Sequence, residues 1–85
     1  MYDINWQPKA RKQVSKIVDR ATRIEIEDAV DGLRQWPDCM QVKALANHEY
    51  GYRLRVGRFR ILFDADTAIR IIDIQEVKKR DDRTY

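Results

Sequence analysis

The chain has one cysteine, Cys39, and one histidine, His48, among its 85 residues. A lone cysteine cannot form an internal disulfide, which is typical of proteins from a reducing compartment such as the cytoplasm. One histidine and one cysteine are also too few for a zinc site built from this chain alone. The sequence therefore predicts a cytoplasmic protein with neither an internal disulfide nor a bound metal.

Long apolar runs and phosphate-binding loops are missing as well. The longest apolar runs last a few residues, whereas a transmembrane helix needs about 20. The N-terminus lacks the basic region and apolar core of a signal peptide. The three glycines of the chain form neither a P-loop nor a G-x-G-x-x-G motif, so a nucleotide cofactor has no support. We expect no membrane association and no cofactor.

Length and charge predict one small, highly ionised domain. The 85 residues allow a single core, so 1–85 is treated as one domain. There are 17 basic and 14 acidic residues, for a net charge of +3. The charges are segregated, because acids cluster over 25–31 and bases dominate 9–23 and 53–60. A local positive field of this kind attracts polyanions even where the net charge is small.

The N-terminal part predicts a strand followed by two helices. Residues 2–6 alternate apolar and polar side chains, which is the period of a strand. Pro8 is placed to open a helix whose apolar stripe covers 10–21. The four residues from Thr22 have the spacing of a capping box and predict the start of a second helix, which Pro37 ends. The helices form either an antiparallel hairpin or one kinked helix.

The C-terminal part predicts strands. Residues 42–45 have the character of a short strand, 52–63 alternate like a hairpin, and 64–67 favour a turn. Residues 68–75 are rich in isoleucine on both faces, as in a strand inside a sheet, and 78–85 form a charged tail. The two helices must cover one face of this antiparallel-rich sheet, which predicts an α+β fold of order β-α-α-β-β-β.

The hairpin 52–63 carries four arginines and no acid. With a two-residue turn at 57–58, Arg55 faces Arg60, and Arg53 shares their side of the sheet, opposite the core. Like charges directly across a strand pair are destabilising, so the arrangement indicates an anionic ligand, and an RNA phosphate is the obvious candidate. The alternative is a solvated face whose arginines pair with acids elsewhere.

At this hairpin the chain resembles a known family. The pattern Tyr-Arg-Leu-Arg-Val-Gly-x-Phe-Arg-Ile-x-Phe over 52–63 and the Leu-x-x-Trp-Pro step at 33–37 are similar to the RelE/ParE superfamily of bacterial and archaeal toxins. The resemblance extends over the whole chain. It implies the toxin of a type II toxin–antitoxin pair. RelE-like members are endoribonucleases that cut messenger RNA in the ribosomal A site, where a 2′-hydroxyl attacks the adjacent phosphate without a metal.

The resemblance also implies the residues of the site. Matched by position, the catalytic set is Arg53, Arg55, Arg60, Arg80 and Tyr85. Further candidate RNA contacts are Lys43, Arg58, Lys79 and Arg83. The alternatives are a solvated lysine for Lys43 and a plain turn residue for Arg58. Arginine suits stabilisation of phosphorane charge, because its planar fork meets phosphate bidentately. Tyr85 either takes a proton or stacks on a base, and Lys79 is an alternative to Arg80. His48 is either an acid–base group or a plain exposed loop residue.

The partners implied by the resemblance are a cognate antitoxin protein, the ribosome and its messenger RNA. Operator DNA would be bound only through the toxin–antitoxin complex. Two other functions fit the same resemblance: a ParE-like inhibitor of DNA gyrase, which cleaves nothing itself, and an inactive toxin that only binds its antitoxin as a corepressor. Fold alone cannot separate these functions.

Overall fold

The computed structural model describes residues 1–79 and has an α+β fold, as predicted. Two helices are present, α1 (Pro8–Ser15) and α2 (Arg20–Asp31), the second continued by a 3₁₀ turn over Gly32–Gln35. The strands are β1 (Asp3–Trp6), β2 (Val42–Ala44), β3 (Tyr52–Val56), β4 (Phe59–Asp66) and β5 (Ile71–Lys79). No helix within 1–79 is long and apolar enough to cross a membrane.

The strands form one sheet in the order β1-β5-β4-β3-β2. Only the β1–β5 pair is parallel, and the other three pairs are antiparallel. The short strand β2, predicted at 42–45, pairs with β3. It is one of four strands after the helices, one more than the order β-α-α-β-β-β counts. The isoleucine-rich strand β5 lies between β1 and β4, which agrees with its prediction as an interior strand.

Helix α1 begins at Pro8 as predicted but is shorter than its apolar stripe suggested. It ends at Ser15, so Val18, which the prediction placed on the buried stripe, is 95% exposed. The helix lies along the edge of β5 beyond the end of β1, where the Val77 N–H donates to Gln13 Oε1 at 2.6 Å. Helix α1 therefore supplies a hydrogen-bond acceptor to an N–H at the edge of β5 and also covers the core.

Helices α1 and α2 are separated by the non-helical residues 16–19, which excludes the alternative of one kinked helix. Helix α2 packs against β3. It begins at Arg20, so the predicted start at a capping box from Thr22 is wrong. Asp19 caps it instead, because its carboxylate accepts from the Ala21 N–H at 3.3 Å and from the Thr22 hydroxyl at 2.6 Å. The capping residue therefore lies three residues before the predicted one.

The core lies between the sheet and the helices. Its largest fully buried side chains, which come from both layers, are Phe63, Ile26, Leu33, Ile61, Ile72, Ile74 and Val30. Trp36 closes one end, since its ring meets the rings of Tyr52 and Phe63 edge-on at 4.6 and 5.6 Å between centroids. Each such side chain contributes about 1.5–3 kcal/mol on burial. The packing holds the helices on one face of the sheet and leaves the other, the open face, uncovered by helix.

Strand β4 extends further than predicted, and β5 begins and ends later than the predicted 68–75, since 67–70 form a turn. The turn expected at 64–67 is wrong, because β4 continues through Asp66 while paired with β5. The Asp66 carboxylate then starts the true turn by accepting from the N–H groups of Ala68 and Ile69. β5 continues through Lys79, so Lys78 and Lys79 belong to the sheet and not to a tail. Strand pairing has overridden the local turn preference here.

A bulge in β5 changes which side chains reach the open face. Leu62 pairs with Glu76, but its neighbour Phe63 pairs with Ile74, so Gln75 is an extra residue. Ile74 and Val77 are therefore both buried in the core although they are three residues apart. Glu76 is left opposite Leu62 on the open face.

Candidate functional site

The arginine hairpin has the predicted register. Arg55 pairs with Arg60, Leu54 with Ile61, and Val56 with Phe59 across the Gly57-Arg58 turn. Gly57 has φ of 54°, a conformation that favours glycine, and a Cβ there would lie 3.3 Å from Glu25 Oε1. Because Leu54, Val56 and Ile61 are buried, the alternation places the arginines on the open face.

The register arranges the open face in rows across the strands. The cationic row, nearest the hairpin turn, is Arg55, Arg60 and Lys78. The mixed row is Lys43, Arg53, Leu62 and Glu76. The acidic row is Asp64, Asp73 and Asn5. With strands about 4.8 Å apart, a row of three residues is about 10 Å wide.

The cationic end of the face contains a shallow concavity of about 40 Å³, lined by Arg53, Arg55, Gly57, Phe59 and Arg60. Arg53 Nε is buried there and has no hydrogen-bond partner within 1–79. No carboxylate of the described residues forms an ion pair with Arg53 or Arg55. An unsatisfied buried donor costs about 1–3 kcal/mol. With two guanidinium groups that have no carboxylate partner within 1–79, this end of the face suits an anion.

The carboxylates of the acidic row are satisfied by neutral donors. Asp64 accepts from the Gly51 N–H at 2.7 Å and from the Gln75 amide at 3.2 Å. Asp73 accepts from the side chains of Asn5 at 2.7 Å and Gln7 at 3.3 Å. This explains why an aspartate interrupts the isoleucine-rich strand: it ties β5 to β1. Within 1–79, no group of three or more His, Cys, Asp or Glu residues is placed to hold a metal ion.

The loop between β2 and β3 places Tyr50 beside the charged groups of the open face. Partial burial raises the pKa of the Tyr50 phenol, and the negative charges of Glu49 and Glu76 add to the increase. The raised pKa favours the protonated phenol, which is the form that can donate a hydrogen bond. His48 Nδ1 accepts from the Tyr50 N–H at 3.0 Å, so the exposed histidine helps to shape this loop.

The predicted site residues are distributed between the two faces. Arg53, Arg55, Arg60 and Lys43 share the open face, and Arg58 is exposed in the hairpin turn. Lys79 pairs with Phe59, so its side chain lies on the helix side of the sheet. Arg80, Arg83 and Tyr85 lie outside the described residues.

Lys78 is a member of the cationic row that sequence reasoning missed. It lies directly opposite Arg60, and its ammonium is 3.7 Å from Glu76 Oε1. The sequence analysis assigned it to the charged tail, because it ended the last strand at 75. Continuing the strand alone would not have placed Lys78 on this face, since the bulge at Gln75 shifts the alternation.

Comparison with solved structures identifies the fold. A chain of the RelBE2 toxin–antitoxin complex from Mycobacterium tuberculosis is 20% identical, with a TM-score of 0.77 over 93% of this chain and 98% of that one. A chain of the archaeal RelE–RelB complex from Pyrococcus horikoshii OT3 is also 20% identical, with a TM-score of 0.79 over 95% and 97%. The isolated E. coli RelE toxin is 13% identical, with a TM-score of 0.81 over 99% and 89%. The chain has the RelE fold.

The RelE fold confirms the architecture that the sequence resemblance implied. Neither the protein-family models nor the sequences of curated proteins match this chain. Identities of 13–20% show a shared fold and leave the activity to be argued from the side chains of the open face.

Proposed function

We propose that this protein is the toxin of a type II toxin–antitoxin pair and that it cuts messenger RNA in the ribosomal A site. The observation that carries the proposal is the arginine cluster on the open face. Arg53 and Arg55 have no carboxylate partner within 1–79, although they lie beside Arg60 on a sheet with the RelE fold. A phosphodiester is the ligand that this arrangement of guanidinium groups suits best.

The chemistry would be an internal transfer within the RNA. The 2′-hydroxyl of one nucleotide attacks the adjacent phosphorus, and the bond from phosphorus to the 5′-oxygen of the next nucleotide breaks. The upstream fragment keeps a 2′,3′-cyclic phosphate, and the proton lost by the 2′-hydroxyl is balanced by one gained at the 5′-oxygen. The arginines would stabilise the extra negative charge of the phosphorane, and one well-placed donor contributes about 3–4 kcal/mol to such a step.

Proton transfer must fall to other groups, because a guanidinium stays protonated in proteins. Tyr85 is the proposed candidate, with Arg80 as a further catalytic cation, and stacking of Tyr85 on a base is its alternative role. Both residues lie outside the described part of the chain. Tyr50 has a raised pKa and so fits a hydrogen-bond donor to RNA better than a base.

An antitoxin is the second proposed partner. Two of the similar structures are toxin–antitoxin complexes, and we propose a cognate antitoxin for this chain too. It would cover part of the arginine face or displace the C-terminal tail, and it would connect the toxin to operator DNA. The free toxin would act in the cytoplasm, where it meets ribosomes.

Toeprinting on purified ribosomes that carry a defined messenger RNA tests the proposal. We expect cuts within the A-site codon that fade with Arg60→Ala and with Tyr85→Ala. Cuts that persist in both variants would keep the activity and overturn the assigned residues. No cuts with folded wild-type protein would overturn the proposed activity, and DNA cleavage complexes formed with gyrase would then identify the other known target of this superfamily.

A further inference from the structure

The last strand ends in two lysines that lie on opposite faces of the sheet. Lys78 pairs with Arg60 on the open face, whereas Lys79 pairs with Phe59 on the helix side. Lys78 therefore ends the cationic row, so Arg55, Arg60 and Lys78 follow one another across three neighbouring strands. Three cations in a row of about 10 Å repel each other. A flexible lysine would relieve that repulsion by turning into solvent unless another group held it.

Glu76 is the group that holds Lys78. Its side chain is in the mixed row, two residues before Lys78, and the residue is only 9% exposed. Lys78 Nζ lies 3.7 Å from Glu76 Oε1, and Lys9 Nζ lies 3.3 Å from the same oxygen. A nearly buried carboxylate is costly unless it is paired. The two ammonium groups meet that need, and in return they are fixed at the edge of the arginine cluster.

Lys9 reaches Glu76 because α1 runs along the open edge of β5. Gln13, one turn after Lys9 on the same side of the helix, accepts the Val77 N–H at 2.6 Å. The N-terminal helix is thereby fixed beside Glu76, and Lys9 needs only its own length to reach the carboxylate. The lysine–glutamate–lysine arrangement thus joins α1 to the cationic row.

We propose that Lys78 binds an RNA phosphate beside the one held by the arginines, and that Glu76, paired with Lys9, is its positioning residue. This inference rests on the proposed function, because it assumes RNA on the open face. The side chain of Lys78 is 57% exposed, so its ammonium is accessible to a ligand. An ammonium has three donors, and Glu76 needs one of them. Pairing with Glu76 therefore leaves donors that suit a non-bridging phosphate oxygen.

The test measures binding of a short single-stranded RNA in which every 2′-hydroxyl is methylated, so that it cannot be cut. Full-length wild type and Lys78→Ala are compared over a series of salt concentrations. Loss of one phosphate contact should weaken binding severalfold and reduce the slope of log affinity against log salt by about 0.7. Lys12→Ala, which removes the same charge from the exposed surface of α1, should change neither.

The variant Glu76→Gln distinguishes a positioning role of Glu76 from an effect of net charge alone. Removing a negative charge from the face should tighten RNA binding if only net charge matters. If Glu76 positions Lys78, the variant should cut A-site messenger RNA severalfold more slowly in single-turnover assays, even though the face is more positive. Cutting at the wild-type rate would overturn the role of Glu76.

The outcomes separate this inference from the proposed function. If Lys78→Ala binds RNA like Lys12→Ala while wild type binds and cuts, Lys78 makes no phosphate contact and only the inference fails. If folded wild type neither binds the methylated RNA nor cuts on ribosomes, both fail together. Lys78 is exposed, so its substitution should leave the free energy of unfolding nearly unchanged.

Discussion

The two ends of the open face are built by the same strand alternation and differ in how their charges are satisfied. At the acidic row, Asp64 and Asp73 each accept two hydrogen bonds from identified neutral donors. At the hairpin end, Arg53 and Arg55 have no carboxylate partner within 1–79, and Arg53 Nε is buried without an acceptor. The acidic and cationic rows belong to one sheet, with the mixed row between them.

The difference indicates which charges serve the fold. The acidic row connects β1, β4, β5 and the β2–β3 loop, so its hydrogen bonds contribute to stability. Arg53 and Arg55 form no ion pair with the described residues, and repulsion between neighbouring cations opposes folding. Their charge is therefore available to a ligand. Glu76 combines a stabilising charge with a functional one. It forms ion pairs with two lysines, and one of them, Lys78, belongs to the cationic row.

The largest effect is expected from Phe63→Ala, which removes a buried aromatic ring from the core beneath the sheet. Phe63 is fully buried in β4, between Leu62 and Asp64, and its ring packs against Trp36 and Tyr52. We expect the free energy of unfolding to fall by about 3–5 kcal/mol, measured by urea denaturation. A fall below 1 kcal/mol would show that this ring is not central to the core.

Arg55→Ala should separate the two ends most clearly. Arg55 is exposed and has no ion pair within 1–79, so its loss should change the free energy of unfolding by less than about 0.5 kcal/mol. A-site cleavage should fall by about 100-fold or more, if the guanidinium stabilises the phosphorane. The control Arg20→Ala, with the same loss of charge on α2, should cut normally. Equal losses in both variants would point to bulk charge instead.

Asp73→Ala should show the opposite pattern. It leaves the Asn5 and Gln7 amides without their acceptor, so the free energy of unfolding should fall by about 1–3 kcal/mol. The cleavage rate per folded molecule should stay within about twofold of wild type, because the hydrogen bonds of Asp73 go to Asn5 and Gln7. A change of about twofold is under about 0.5 kcal/mol in the barrier. A much larger loss of cleavage would place Asp73 in the catalytic machinery.

Cys39 should give the smallest effect, since its thiol packs against the core, 3.7 Å from the Gly32 carbonyl oxygen, and belongs to none of the three rows. Burial raises the pKa of its thiol, and the negative charge of Asp38 adds to the increase. Because the thiolate is the reactive form, iodoacetamide should modify it more slowly at pH 7.5 than an unstructured cysteine peptide. The rate should rise with pH through a midpoint above that of the peptide. A rate equal to that of the peptide would contradict the burial.

The hairpin was predictable because every signal in it is local. Gly57 fixes the turn, and the alternation of apolar residues with arginines fixes the register on both sides of it. The face that carries Arg53, Arg55 and Arg60 followed directly. The fold class followed in the same way from two amphipathic helices that need a sheet to cover.

Several errors arise where residues distant in the sequence decide the structure. Asp66 belongs to a strand because β5 pairs with it, and Asp73 is tolerated because Asn5 and Gln7 donate to it from 68 and 66 residues away. Lys78 reaches the cationic row only through the bulge at Gln75. None of these arrangements leaves a signal in the neighbouring sequence, so local patterns could not reveal them.

The most direct test is single-turnover A-site cleavage by a variant with both Arg53→Ala and Arg55→Ala, measured on the protein whose free energy of unfolding has been determined. The account predicts that cleavage is lost while stability stays at or slightly above that of wild type, because a repulsive pair of cations has been removed. Cleavage at the wild-type rate by the folded variant would contradict it.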